Sequence, residues 1–166
     1  ESIKYVIDNT TSKSKIIIET SSSEKTGICY KIQDFVELWN MFPDQYKERL
    51  GISIDTCHIF AAGHDISTKE GVKIFFNNFD ELIGKEYISL IHFNDSKKKL
   101  GSRIDKHDSI GYGHIGLEGL KQIVDFSKDN NIPLVLETPS KKHQNEINLI
   151  KSWTYDNKKF LNIINF

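Results

Sequence analysis

Four short runs limit this chain more than anything else in it. They are KIIIET (15–20), GISIDT (51–56), YISLIHFND (87–95) and IPLVLET (132–138). Each is rich in β-branched residues, and none alternates polar with apolar. That is the pattern of strands buried on both faces, as in a parallel sheet. Helical patterns lie between them. Residues 31–42 put Ile32, Phe35, Val36 and Trp39 on one face, and 43–51 follows, ending on Gly51. Residues 67–84 open on a Ser/Thr cap with Glu70 as its capping-box partner and close on Gly84. Residues 116–131 precede the fourth run, 141–153 follow it, and 1–10 read as the end of an earlier helix. The order β-α-β-α-β-α-β-α predicts an α/β fold of right-handed crossovers, with no linker and no second domain.

Each run also stops on a residue that can bind a metal: Glu19, Asp55, His92 and Glu137. A (β/α)₈ barrel of about 250 residues averages roughly 31 per βα unit. The spacing of these four ends therefore fits one unit each, with loop insertions. Parallel strands present their C-terminal ends on one face, where barrel active sites form. A single carboxylate at a strand end is more often a helix cap or an ion-pair partner. Four ligand types in succession argue for a site. Oxygen and nitrogen ligands without thiolate suit Zn²⁺, or Mn²⁺, at a catalytic centre.

A second set lies close by. DTCH puts His58 three residues past Asp55, and DKH puts Asp105 and His107 two apart, so both point the same way from an extended loop. Three ligands, His58, Asp105 and His107, leave a position open for water or substrate. Their loop, 92–116, is polar enough to be read as unable to build core. It carries Lys97, Lys98, Lys99, Arg103 and Lys106. His64 is read as a polar loop residue, His114 as structural in a glycine-rich turn, and His143 as a solvated helix position.

Composition narrows the partners. The 166 residues carry 22 Lys+Arg against 23 Asp+Glu, a formal net charge of −1. Any affinity for nucleic acid must then come from local clustering rather than bulk charge. Two cysteines, Cys29 and Cys57, are too few for a disulfide framework and read as reduced thiols in an intracellular protein, cytoplasmic or nuclear. No window suits a transmembrane helix, and no signal peptide opens the chain. The chain starts at Glu1 and its one Met is Met41. The native N-terminus is therefore expected to be absent, and any targeting signal with it.

GISIDTCHIFAAGHDI, IHFNDSKKKLGSRIDKHDSIGYGHIG and PLVLETP resemble, in order and spacing, the signatures of endonuclease IV, the family 2 apurinic/apyrimidinic endonucleases. The resemblance runs from about Glu19 to about Pro139. It implies a (β/α)₈ TIM barrel with up to three zinc ions, cutting double-stranded DNA on the 5′ side of an abasic site to leave a 3′-hydroxyl. It implies that Glu19, Asp55, His92 and Glu137 hold one zinc, with Glu19 bridging to another. His58, Asp105 and His107 would hold the third. The four strands resemble the fifth to eighth of that barrel, so residues 1–166 read as its C-terminal half. Two further histidines of the family's most exposed zinc belong to the N-terminal half. Ser53, His64 and Lys106 stand where the family often has Cys, Tyr and Arg; Lys106 keeps the charge but loses the bidentate fork for phosphate.

Phosphodiester hydrolysis needs an activated water, neutralised charge and a stabilised leaving oxygen, all within reach of a metal cluster. Glu137 is the candidate to orient or deprotonate the water, and Glu19 the candidate bridge. Arg103, Lys106 and Lys97 are candidates to contact DNA phosphates. One alternative is a metal-dependent sugar isomerase or epimerase of the same barrel, which does not need the separate His58, Asp105 and His107 site. The other is an inactive metal-binding half-barrel. A half-barrel has two open edges, so the chain is expected to need its other half, from the same chain, a cleaved partner or a second copy.

Overall fold

The structure is a computed structural model that describes residues 1–11, 13–22 and 29–154, with the backbone of 163–165. In chain order the elements are α1 (Ser2–Asp8), β1 (Ile16–Glu19), α2 (Ile32–Asn40), α3 (Asp44–Lys47), β2 (Leu50–Asp55), α4 (Thr56–Ala62), α5 (Lys69–Leu82), β3 (Ile88–His92), β4 (Asp95–Ser96), β5 (His107–Asp108), α6 (Gly116–Asp129), β6 (Leu134–Leu136), α7 (His143–Ser152) and β7 (Ile163–Asn165). The four expected strands are present, and every pairing in their sheet is parallel. The sheet order is β1-β2-β3-β6-β7, the order of the chain itself. A sheet wound in one direction, with no reversal of strand order, is the wall of a barrel rather than a doubly wound sheet.

Register assigns the faces. Glu19 pairs with Ser53, Asp55 with His92, and His92 with Val135. Side chains two apart on a strand share a face. Asp55 therefore lies on the side of Ser53, and Glu137 on the side of Val135. All four strand-end residues emerge on one face. The opposite face carries Leu50, Ile52, Ile54, Ile91, Phe93, Leu134 and Leu136, each with no exposed surface, packed against Phe35, Trp39, Val72, Phe75, Phe79, Leu120 and Ile123 from α2, α5 and α6. Between α5 and α6, Phe76 stacks on Phe126 at a centroid distance of 3.7 Å, a contact worth about 0.5–1.5 kcal/mol beyond burial. Gly51 sits where the sheet leaves no room: a Cβ there would meet Ser89 Oγ and come within 2.8 Å of Ile17 Cδ1.

β1 is one of the two edge strands of the described sheet. Its lower end is fastened by Arg49, which donates from Nη1 to Thr10 O at 3.1 Å and from Nε to Ser14 O at 3.4 Å. Among the described residues no helix is long and apolar enough to cross a membrane.

Several elements differ from expectation. Helix α5 is capped by Thr68, whose Oγ1 accepts from Gly71 N at 3.1 Å. Ser67 instead donates to Asp65 at 2.5 Å, so Glu70 forms no capping box with it. Helix α4, the two-residue hairpin β4–β5 and strand β7 carry no sequence pattern long enough to announce them. The 92–116 loop does contribute to the interior: Ile110 and Ile115 are buried among the core residues, and Asn94, Asp95 and Ser96 have no exposed surface.

Candidate metal centre

The strand ends bring the first group together. His92 Nδ1 lies 2.7 Å from Glu19 Oε1, 3.3 Å from Glu137 Oε2 and 3.9 Å from Asp55 Oδ2. The second group forms where the chain leaves β2. Asp55 closes that strand and caps α4, its Oδ1 accepting from His58 N at 2.9 Å. The cap fixes the first turn of the helix and so aims the His58 ring. His58 Nε2 lies 3.0 Å from Asp105 Oδ2, and His107 Nε2 lies 3.2 Å from Asp105 Oδ1. Two residues join the groups. Asp55 Oδ2 is 3.5 Å from His107 Nε2, and Glu19 Oε1 is 3.6 Å from His58 Nδ1. All seven predicted ligands therefore lie in two adjoining clusters, Glu19, Asp55, His92 and Glu137 in one and His58, Asp105 and His107 in the other.

The donor chemistry fits a cation. His58 Nδ1 lies 2.8 Å from the Thr20 carbonyl, which can only accept, so Nδ1 carries a proton. In the neutral ring Nε2 is then a bare lone pair facing a carboxylate oxygen. His58 Nε2 and His107 Nε2 are buried atoms without an aligned hydrogen bond, despite their nearness to Asp105. Two electron-rich atoms 3.0 Å apart repel unless a positive charge lies between them. A ring that donates its other nitrogen to a backbone carbonyl is also the usual posture of a metal-bound imidazole.

Carboxylates dominate the local electrostatics. Burial pushes the Asp55 carboxyl above its ordinary value, against the pull of His58 and His107. Burial acts in the same direction on Glu19, but the hydrogen bond and charge of His92 outweigh it and hold Glu19 below the usual range. Burial would lower His58, yet Asp55 and Asp105 raise it; His92 is raised likewise, by Glu19, Glu137 and Asp55. Among the described residues, the ion-pair partners of Glu19, Asp55 and Glu137 are imidazoles, not lysine or arginine. Cys57 also comes close to Asp55 and His107. Burial pushes its thiol up to about 11, so it stays protonated and packs as a small apolar group.

Supporting residues were missed by the sequence reading. Asn94 donates from Nδ2 to Asp55 Oδ2 at 2.9 Å and to Glu137 Oε2 at 3.2 Å, while its Oδ1 accepts from Glu137 N at 3.1 Å. Its place two residues past His92, on the same side of an extended strand, was the available signal. Thr20 Oγ1 accepts from Asp55 N at 3.0 Å, and Thr56 Oγ1 donates to Asn94 O at 2.5 Å. Asp95 organises the ligand loop. Its carboxylate accepts from the N–H groups of Ser96, Gly111, Gly113 and Ile115 at 2.8–3.0 Å.

The basic candidates lie on the outer part of that loop. Lys97, Arg103 and Lys106 are exposed, and Lys97 N donates to Lys106 O at 2.9 Å. Arg103 has a left-handed backbone, φ 55°, held by its N–H on Ala61 O at 3.0 Å. Its guanidinium lies over the Tyr30 ring at 5.2 Å. His64 packs edge-on against Phe75 at 5.1 Å and joins neither cluster, and burial lowers its pKa. His143 is not solvated. It is buried, with Nε2 at 2.6 Å from Thr138 O, because α7 turns that side of its first turn toward the strand end.

Comparison with known proteins accords with this architecture. The family model described as xylose isomerase-like TIM barrel matches residues 1–155. Two relatives carry endonuclease 4 in their names. One, from Acanthamoeba polyphaga mimivirus, is 40% identical over 161 residues, covering 91% of this chain and 52% of the relative. The other, from Dictyostelium discoideum, is 37% identical over 160 residues, covering 96% of this chain and 29% of the relative. The chain thus spans about half, or less, of the length of these relatives. The crystal structure of endonuclease IV from Thermus thermophilus matches with a TM-score of 0.73 at 25% identity, covering 85% of this chain and 50% of that one. With its one-way parallel sheet and its strand-end cluster, the chain belongs to the xylose isomerase-like TIM barrel family, among the relatives of endonuclease IV.

Proposed function

We propose that this chain carries the catalytic face of a zinc-dependent hydrolase that cleaves DNA on the 5′ side of abasic sites, the incision step of base excision repair. The observation that carries the reading is the pair of ligand clusters on one face, joined through Glu19 and Asp55. The endonuclease names of its relatives favour it over sugar isomerisation. Glu19, Asp55, His92 and Glu137 would hold one ion, with Glu19 bridging to a further one, and His58, Asp105 and His107 would hold a third. Zinc, or manganese in its place, supplies a reactive water at neutral pH and offsets phosphate charge.

The chain's own residues do the rest. Glu137 is exposed, yet Asn94 holds both its backbone and its carboxylate. It is placed to take the proton from an attacking water. Asn94 also keeps Asp55 in place from within the interior. Arg103, Lys106 and Lys97 line the outer loop as phosphate contacts. In this reading residues 1–166 are the C-terminal half of one barrel, and the remaining half comes from the same longer chain, a cleaved partner or a second copy.

The test is a duplex oligonucleotide with one abasic site, incubated with the chain in its full assembly. Chelator-sensitive nicking 5′ to the lesion, leaving a 3′-hydroxyl, is expected. Nicking indifferent to the lesion or to chelator would sink the proposal. Aldose isomerisation without nicking would move the chain to the isomerases.

A further inference from the structure

We infer that Glu146 and His143, on the first turn of α7, are positioning residues: both hold the Glu137 strand end, and Glu146 ties it to the His107 loop. The inference rests on the metal-centre reading above.

Thr138 follows Glu137 directly and is buried. Two side chains from α7 hold it. His143 Nε2 donates to the Thr138 carbonyl at 2.6 Å. The carbonyl has no proton to give, so Nε2 carries it. Thr138 Oγ1 donates in a short hydrogen bond to Glu146 Oε2. The other oxygen of the same carboxylate, Oε1, accepts from Ile110 N at 3.0 Å. Ile110 lies three residues past His107. One carboxylate therefore joins the end of β6 to the loop that supplies Asp105 and His107. His143 and Glu146 are spaced i, i+3, so one helix turn presents both. They are 5% and 4% exposed.

Burying a carboxylate is costly unless its oxygens are hydrogen-bonded. Ile110 N–H and the Thr138 hydroxyl supply one such bond to each oxygen. Neither residue touches the ligand cluster, yet together they fix two of its supports. A metal site depends on such supports, whose loss typically costs about 10–100-fold in metal affinity.

The test uses Co²⁺ alone, titrated into the purified protein in its full assembly and read by its visible absorption and by chelator competition. The wild-type chain is expected to give a cobalt spectrum. Glu146→Ala strands the Ile110 N–H and the Thr138 hydroxyl. Thr138→Val, nearly isosteric, cuts only the link from β6. Each is expected to weaken Co²⁺ binding about 10–100-fold and to alter the spectrum, with far-UV circular dichroism retained. Glu146→Gln should restore wild-type binding. Its oxygen can accept from Ile110 N–H, and its amide can donate to Thr138 Oγ1, since a hydroxyl serves either way. Wild-type affinity and spectrum in folded Thr138→Val would overturn the inference, whatever the fate of Glu146→Ala. So would a loss in Glu146→Gln as large as in Glu146→Ala. A wild-type chain that binds no Co²⁺ would remove the metal-centre reading itself, and with it this inference.

Discussion

At the scale of single residues, geometry separates ligands from the groups that hold them. Glu137→Gln keeps the size of the side chain and its hydrogen bond to Asn94 but removes the carboxylate proposed as base. It should lower single-turnover nicking by about 10²–10⁴-fold with melting unchanged, and near-normal turnover would rule out the role. Asp95 sits at the other extreme, with no exposed surface and bonded to four backbone N–H groups. Asp95→Ala should cost roughly 3 kcal/mol or more, since each stranded donor costs about 1–3 kcal/mol. Urea unfolding measures this, and a loss under about 1 kcal/mol would show that the loop re-forms without it. Glu19, Asp55, His92 and Glu137 were legible because four metal-binding types in succession end apolar runs, and His58, Asp105 and His107 were legible through the spacing of DTCH and DKH. Asn94, Asp95 and Glu146 were not. A buried polar side chain looks like a solvated one until its partners are known, and Glu146 finds its partners at Thr138 and Ile110, outside its own helix. His143 misled for the same reason, lying among lysines and a glutamine that do face water.

At the scale of elements, what could be read depended on length. Four strands of the five-strand wall were visible through four apolar runs, and α2, α5, α6 and α7 through their periodicity. Helix α4 has seven residues and follows β2 with no gap, so its short span merged with the strand end. The β4–β5 hairpin has two residues a side. These short elements deliver His58, Asp105 and His107, so the second cluster was legible as ligands and not as architecture. The loop between β4 and β5 is fastened to the last turn of α4 by Gly101 N on Phe60 O at 3.1 Å and by Arg103 N on Ala61 O at 3.0 Å. These bonds satisfy carbonyls that a helix end leaves open, and they hold Arg103 outward from a fixed base. If that base presents the guanidinium to phosphate, Arg103→Ala should weaken DNA binding and lower the slope of log K against log salt by about 1. Fluorescence anisotropy at several salt concentrations decides it; an unchanged slope removes Arg103 from the contact.

At the scale of the whole molecule, the two faces of the sheet are unequal. The helix-covered face is sealed, whereas the ligand face leaves Ile17 37% exposed and Leu90 partly so. Parallel sheets are ordinarily covered on both sides. Sedimentation equilibrium of the chain is therefore expected to find an assembly, with itself or with a complementary half-barrel. A well-folded monomer at all concentrations would contradict this.

Strand β1 would give the proposed metal centre a second meaning. It is fastened at one end by Arg49 and at the other by Glu19, whose neighbours are the imidazoles of the cluster. Without the proposed cation that upper fastening would rest on the His58 and His92 imidazoles alone. An edge strand that peels offers its N–H and C=O groups to any other strand nearby. Under the proposed function, scarcity of metal would be a problem of aggregation as well as of catalysis.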